Sequence, residues 1–304
     1  MTLPVITSTD RGYTFDGGRT GALLLHGLGG TPVEMRYVAL GLARAGITVS
    51  CPELAGHSGS FEALRDSTWR DWYDSAAVAL DRLRCRCDAV IVGGLSMGAV
   101  LALMLAAERK DDVHGAAVYA PTLRLNGWGV PWYAQLFGLV PHKSIANLFD
   151  FQEREPYGVK DPRVRALISA AIESGDSSKC GMLKVPGGSM YELRGLVDAV
   201  RRRAPDIRQP VLLVHPREDD RACLSNSFWL QRNLGGPVET VVLEDSYHVV
   251  TVDRQRHVVA DRTVALAKAV AGSREGSRAK ILDMRPNPVA RISPALPVES
   301  IARA

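Results

Sequence analysis

The stretch Ala89-Val90-Ile91-Val92-Gly93-Gly94-Leu95-Ser96-Met97-Gly98-Ala99 decides how the rest of this chain is read. A short β-branched and aliphatic run leads into Gly94-Leu95-Ser96-Met97-Gly98, and a continuous apolar run, Ala99 to Ala107, follows it. A bare G-x-S-x-G pentapeptide is common by chance. Placed between a strand and a helix, it is the signature of a tight turn that lifts a serine hydroxyl to the end of a sheet. The two glycines allow the backbones to approach closely enough for that turn. The plain alternative is a glycine-rich turn whose serine only caps a helix. Ser96 is therefore the candidate nucleophile.

Working outward, short apolar runs alternate with helical patterns, as expected of a mostly parallel sheet covered by helices. Candidate strands are Gly21–Leu25, Ile47–Cys51, Asp88–Gly93, Gly115–Tyr119, Pro210–Val214 and Val238–Leu243. Their uninterrupted aliphatic character suits strands buried on both faces. Thr31, Pro32 and Glu34 read as a cap, a first-turn proline and a capping-box acid for a helix over Val33–Ala45, ended by Gly46. Thr68 precedes a helix to about Arg84, Ser96 opens one to Arg109, and Asp253 opens the last, to near Ala271.

Between Tyr119 and Pro210 the alternation stops. The interval holds the aromatics Trp128, Trp132, Tyr133 and Phe137, then two helical faces, one through Val164, Leu167, Ile168, Ala171 and Ile172 and one through Leu193, Leu196, Val197 and Val200. A Ser189/Glu192 capping box precedes the second. The expected organisation is a core of residues 1–120 and 207–272, an inserted helical subdomain over 121–206, and a disordered tail over 273–304 carrying Pro286, Pro288, Pro294 and Pro297.

A serine hydroxyl is a weak nucleophile and needs a base that is itself oriented by an acid. With this elbow the partners follow in the order Ser, Asp, His. Past the strand at Pro210–Val214 lies His215-Pro216-Arg217-Glu218-Asp219-Asp220, and past Val238–Leu243 lies Ser246-Tyr247-His248. His248 is the expected base; His114 and His142 precede the acid, and His257 falls within the last helix. Asp219 is the expected acid, with Asp220 as its neighbour and rival. Directly after the first strand, His26-Gly27-Leu28-Gly29-Gly30-Thr31-Pro32 is a glycine-rich loop. It could turn a backbone N–H, from Leu28, toward a developing oxyanion, with Met97 after the nucleophile supplying a second.

These segments, together with Pro52–Gly59, resemble the bacterial carboxylesterase and monoacylglycerol-lipase group of the α/β-hydrolase superfamily, over about Gly21 to Ala271. The resemblance implies an α/β-hydrolase fold: a mostly parallel sheet flanked by helices, with an inserted helical cap. It assigns Ser96 as nucleophile, Asp219 as acid, His248 as base, and Leu28 and Met97 as oxyanion donors. Two departures stand out. Pro216 and Tyr247 occupy places that often hold glycine in that group, and Pro216 could shift the acid loop toward Asp220. The 121–206 insertion corresponds to the cap, whose Trp128, Trp132 and Phe137 are candidates to line an acyl pocket. The run Arg201-Arg202-Arg203 could meet a phosphate-bearing substrate such as an acyl-CoA, or only compensate the dipole of a helix C-terminus.

Composition bounds the remaining classes. Of 304 residues 46% are hydrophobic, and the formal charge is +4, mostly in the segment from Ser273 onward. That leaves a near-neutral body without a nucleic-acid-binding footprint. The cysteines Cys51, Cys85, Cys87, Cys180 and Cys223 have no zinc spacing and suit a reducing compartment. The first ten residues show no secretory pattern, and Ala99–Ala107 is too short to span a bilayer. The sequence thus predicts a cytoplasmic serine hydrolase with no metal, cofactor or stable membrane insertion. Its expected substrate is a small-molecule ester with a medium or long acyl chain. Acyl thioesterase and carbon–carbon hydrolase are alternatives with the same triad, and a non-catalytic binding protein is a further rival.

Overall fold

The computed structural model describes residues 6–9, 12–57, 59–173, 181–182 and 184–283. Among the described residues there are ten strands: β1 (Ile6–Thr9), β2 (Gly12–Phe15), β3 (Thr20–Leu25), β4 (Thr48–Cys51), β5 (Ala89–Leu95), β6 (Gly115–Tyr119), β7 (Asp150–Gln152), β8 (Lys184–Pro186), β9 (Val211–Pro216) and β10 (Val238–Leu243). Eight of them form one sheet in the order β1-β2-β4-β3-β5-β6-β9-β10. From β4 to β10 every pair is parallel. All six strands expected from aliphatic runs belong to that parallel part. β1 and β2 add an antiparallel edge.

The helices are α1 (Arg36–Arg44), α2 (Phe61–Asp66), α3 (Trp69–Arg84), α4 (Met97–Glu108), α5 (Lys143–Ala146), α6 (Pro162–Glu173), α7 (Gly187–Arg203), α8 (Ser225–Asn233) and α9 (Arg256–Asp283). Two apolar layers result. One joins α3, α4 and α7 to one face of the sheet around Trp72, Leu101 and Val197. The other joins α1 and α9 to the opposite face around Leu42, Tyr119 and Val259. α4 is buried along nearly its whole surface, which explains why its sequence is apolar all round. α3 starts from a full capping box, Thr68 with Asp71. No helix among the described residues is long and apolar enough to cross a membrane.

Several local expectations are corrected. Pro32–Met35 is a 3₁₀ turn before α1, and Thr31 makes no side-chain cap, because Glu34 turns inward instead. The last helix opens at Arg256 rather than Asp253, since all the Asp253 carboxylate's bonds go to loop amides. It also continues to Asp283, so residues 273–283 are helical and not a disordered tail. Gly272 lies inside that helix without ending it, at a cost a helix tolerates. Residues 284–304 lie outside the described residues.

Between β6 and β9 the chain leaves the sheet. It forms a 3₁₀ segment (Trp132–Leu139), α5, α6, α7 and the small antiparallel pair β7–β8, which the sequence did not predict. α7 returns to the core and packs on α3 and α4, so this excursion is anchored on the sheet's own helical layer.

Strand register sets what happens at one edge. Leu25 pairs with Gly94, Leu95 with Tyr119, Tyr119 with Val214, and Leu243 with Pro216. The parallel strands therefore end level, and the loops after β3, β5, β6, β9 and β10 emerge side by side, where α/β sheets place their ligand sites. The elbow fits only without side chains: a Cβ on Gly98 would lie 2.3 Å from the Leu25 carbonyl oxygen, and one on Gly94 2.3 Å from Gly98.

Those contacts are with backbone that cannot move aside. Gly98→Ala should therefore cost more than about 3 kcal/mol in urea unfolding. Gly272→Ala meets nothing within 4 Å, and should stabilise by about 0.5–1 kcal/mol.

Candidate active site

Ser96 sits between β5 and α4 at φ 56° and ψ −111°. That left-handed backbone is costly for a residue with a Cβ. Its N–H donates to the Tyr119 carbonyl at 2.9 Å, and its hydroxyl lies 3.0 Å from that of Thr122. Met97 opens α4, so its N–H is among the helix's donors without an intrahelical partner.

Asp219 and His248 meet as the sequence order requires. The imidazole Nδ1 is 2.9 Å and 3.0 Å from the two carboxylate oxygens of Asp219, both residues being buried. Asp219 Oδ1 also accepts the Arg221 and Ala222 amides, each at 2.8 Å. Burial alone would raise this carboxyl, but His248 and His215 outweigh it and hold Asp219 well below the usual carboxylate range. For His248, burial disfavours the charged form, but the Asp219 carboxylate outweighs it, and the imidazole titrates above an ordinary histidine. Among the described residues no hydrogen bond joins Ser96 to His248; the Ser96 hydroxyl is turned to Thr122.

Pro216 does not displace the acid loop. It ends β9 in register with Leu243, and the loop folds back so that Asp220 makes other bonds. Asp220 accepts the His248 backbone N–H at 3.3 Å and pairs with Arg221, whose guanidinium also grips Glu153. His215 supports the acid from below. A carbonyl only accepts, so its Nε2–H donates to Ala222 O at 2.6 Å and its Nδ1 accepts from Ser227.

The glycine-rich loop after β3 is held on three sides. The Gly27 N–H donates to Glu34 Oε2 at 3.0 Å, the Gly27 carbonyl accepts from His26 Nδ1, and the Gly29 carbonyl accepts the Met182 N–H at 2.7 Å. His26 Nε2 accepts the Leu54 N–H, so the proton is on Nδ1. Burial and the neighbouring His57 push His26 down to about 3. Its ring stands edge-on to His57, and His57 edge-on to Trp72. These are neutral packing histidines that brace the loop carrying Leu28.

Sequence reasoning missed two residues. Asp253 is fully buried and accepts the amides of Lys160, Asp161, Tyr247 and Arg254, tying the insertion to the loop that carries His248. Only its place a few residues past His248 hinted at this. Glu34 fitted a capping pattern, but its carboxylate lies under the glycine loop, close to where a Cβ on Gly27 would also meet Ser96. Burial pushes the Glu34 carboxyl up to about 7; the Gly27 N–H and His248 pull against that, and Glu153 adds to it.

The three aromatics expected to line an acyl pocket are not gathered at Ser96. Trp132 is 77% exposed and touches Tyr133, and Trp128 is 61% exposed, its indole N–H on the Glu218 carbonyl and its ring against Tyr247. Phe137 packs on Phe149 and Phe151. The reason is local: the Trp132–Leu139 3₁₀ segment buries none of its side chains.

Known proteins resemble this chain in sequence and fold. The profile of the Alpha/beta hydrolase family matches residues 22–262. A thermostable monoacylglycerol lipase of Bacillus sp. (strain H-257) is 27% identical over 88% of this chain and 98% of its own. A carboxylesterase of Bacillus subtilis (strain 168) is 22% identical over 83% and 93%. Among solved structures, one from work on the metagenome-derived lipolytic enzymes LipS and LipT superposes with a TM-score of 0.71 at 25% identity, covering 85% of this chain and 97% of that one.

Two substitutions probe this geometry. Asp219→Asn removes the charge that holds the imidazole and should lower kcat by about 10³- to 10⁴-fold; Asp220→Asn should cost less than about tenfold, and initial rates on one ester decide between them. Glu34 bears on stability. Its folded pKa is raised, so the stability it supports is full below the unfolded value and is lost as pH rises toward about 7. Glu34→Gln should then be more stable than the unmodified chain by roughly 1–3 kcal/mol at pH 8.5 and nearly equal at pH 4.

Proposed function

Since the chain belongs to the alpha/beta hydrolase family, we propose that it hydrolyses carboxylic esters through an acyl-enzyme on Ser96. The observation that carries this reading is the buried Asp219–His248 pair at the same sheet edge as the strained serine. The hydrolases named among its relatives, a monoacylglycerol lipase and a carboxylesterase, support the same reaction class.

In this mechanism Ser96 Oγ leaves Thr122 and attacks the ester carbonyl while its proton passes to His248 Nε2. Asp219 keeps Nδ1 protonated and stabilises the imidazolium. The carbonyl oxygen becomes an oxyanion that accepts from the Leu28 and Met97 amides. Collapse expels the alcohol, which takes the proton from His248. Water then repeats the sequence against the acyl-enzyme, releasing the acid and restoring the serine.

A medium or long acyl chain is the proposed substrate class. In its favour, the insertion leaves Trp132, Leu136, Leu139, Leu148 and Phe149 exposed to solvent, and exposed apolar patches are where proteins meet apolar ligands or lipid.

Ser96→Ala should lower kcat by about 10⁴- to 10⁶-fold with an unchanged fold by circular dichroism. The base must be neutral to act, so kcat/KM should rise with pH through a midpoint above that of an ordinary histidine. Replacing acetyl by octanoyl esters should raise kcat/KM by about ten- to a hundredfold, because each buried methylene contributes about 0.8 kcal/mol before entropy and partial burial reduce it. Full activity in Ser96→Ala would sink the mechanism, and a flat chain-length profile would sink the substrate class alone.

A further inference from the structure

The run Arg201-Arg202-Arg203 divides its work in the folded chain. Arg203 is structural: it pairs with Asp206 at 3.1 Å and Glu108 at 3.9 Å at the end of α7. Arg201 instead turns into an open cleft of about 470 Å³, lined by Leu123, Arg124, Arg201, Ser225, Trp229 and Arg232. That volume lies within the range of small-molecule sites.

Three guanidiniums border this cleft, and among the described residues none of them has a carboxylate within ion-pair distance. Arg201 stands over the Trp229 ring at 5.5 Å, and its sole hydrogen bond among the described residues is a long one, 3.4 Å from Nη2 to the Leu123 carbonyl. Its Nε is buried with no hydrogen-bond partner. Leaving a donor of a charged group buried and unpaired is costly. Like charges gathered without a counter-charge add to that cost, and a bound anion would relieve that repulsion.

The cleft is also fixed in shape. Asn226, only 3% exposed, accepts the Leu123 and Arg124 amides at 3.0 Å and 2.8 Å, and donates to Asn126 and the Cys223 carbonyl. It clamps the loop bearing Arg124 onto α8, whose residues Trp229 and Arg232 form the facing wall. Its bonding capacity is thus spent on holding the site open.

We propose that this cleft binds a phosphorylated ligand with an aromatic portion, of nucleotide size. The guanidiniums would take the phosphate oxygens in the forked geometry that arginine favours. The half-buried Trp229 indole would give the aromatic portion a stacking face. The proposal does not depend on which ester the enzyme cleaves.

Isothermal titration of the full chain with ADP, pyrophosphate and adenosine tests this. ADP should bind with a Kd below about 100 μM, weakening as salt rises to 0.5 M. Pyrophosphate should bind at least about fivefold more weakly, and adenosine not detectably at 1 mM. Arg124 and Arg232 are exposed, so the double variant R124A/R232A should fold normally. It should lose at least about tenfold in ADP affinity while p-nitrophenyl acetate turnover is unchanged. No ADP binding at 1 mM, ADP binding indifferent to R124A/R232A, or pyrophosphate binding equal to ADP would each overturn the proposal.

Discussion

A serine at φ 56° is held where its backbone would not rest unaided, and the architecture can be understood from what holds it there. Gly94 and Gly98 let β5, α4 and the end of β3 pack backbone against backbone, with no room for even a methyl group. The Ser96 N–H is tied to Tyr119 on the next strand. This arrangement demands a sheet whose parallel strands end level and a helix that can be buried on all sides. Both demands appear in the sequence as aliphatic strands and the apolar α4. The same level edge then delivers the loops of Leu28, Thr122, Asp219 and His248 to one place.

Around that point the polar groups form a graded set. Asp219 is anchored by two backbone amides and by His215 as well as by His248. Asp220 holds the His248 backbone, and through Arg221 it joins Glu153 of the insertion. Asp253 ties Tyr247 to Lys160 and Asp161. The insertion is thus fastened to the loops of Asp219 and His248 by buried carboxylates, and to the glycine loop by the Met182–Gly29 bond. Its polar anchors lie at the reaction edge, while its apolar aromatics face outward.

Legibility in the sequence followed the physics of each signal. The parallel strands were visible because burial on two faces leaves strong local patterns, and Ser96, Asp219 and His248 were named as candidates from the chain order expected after such an elbow. The β1–β2 edge lacks a long apolar run, and β7 and β8 are three residues each, so neither rises above the turn background. Glu34 was misread because Thr31 and Glu34 satisfy a capping spacing, yet a distant amide, that of Gly27, offered the carboxylate a better partner. Trp132 was misplaced because an aromatic run looks the same whether it lines a pocket or faces water. Spacing from His215 favoured Asp219 over Asp220, and the loop after Pro216 sets the Asp219 carboxylate against His248 Nδ1 and the Asp220 carboxylate against the His248 backbone N–H.

An activated nucleophile at Ser96, as proposed above, is open to covalent capture. After brief treatment with a fluorophosphonate at neutral pH, intact-mass analysis and peptide mapping would locate any adduct. One adduct per chain is expected, on the peptide carrying Ser96, forming much faster than on free serine. No adduct, or an adduct on another serine, would contradict it.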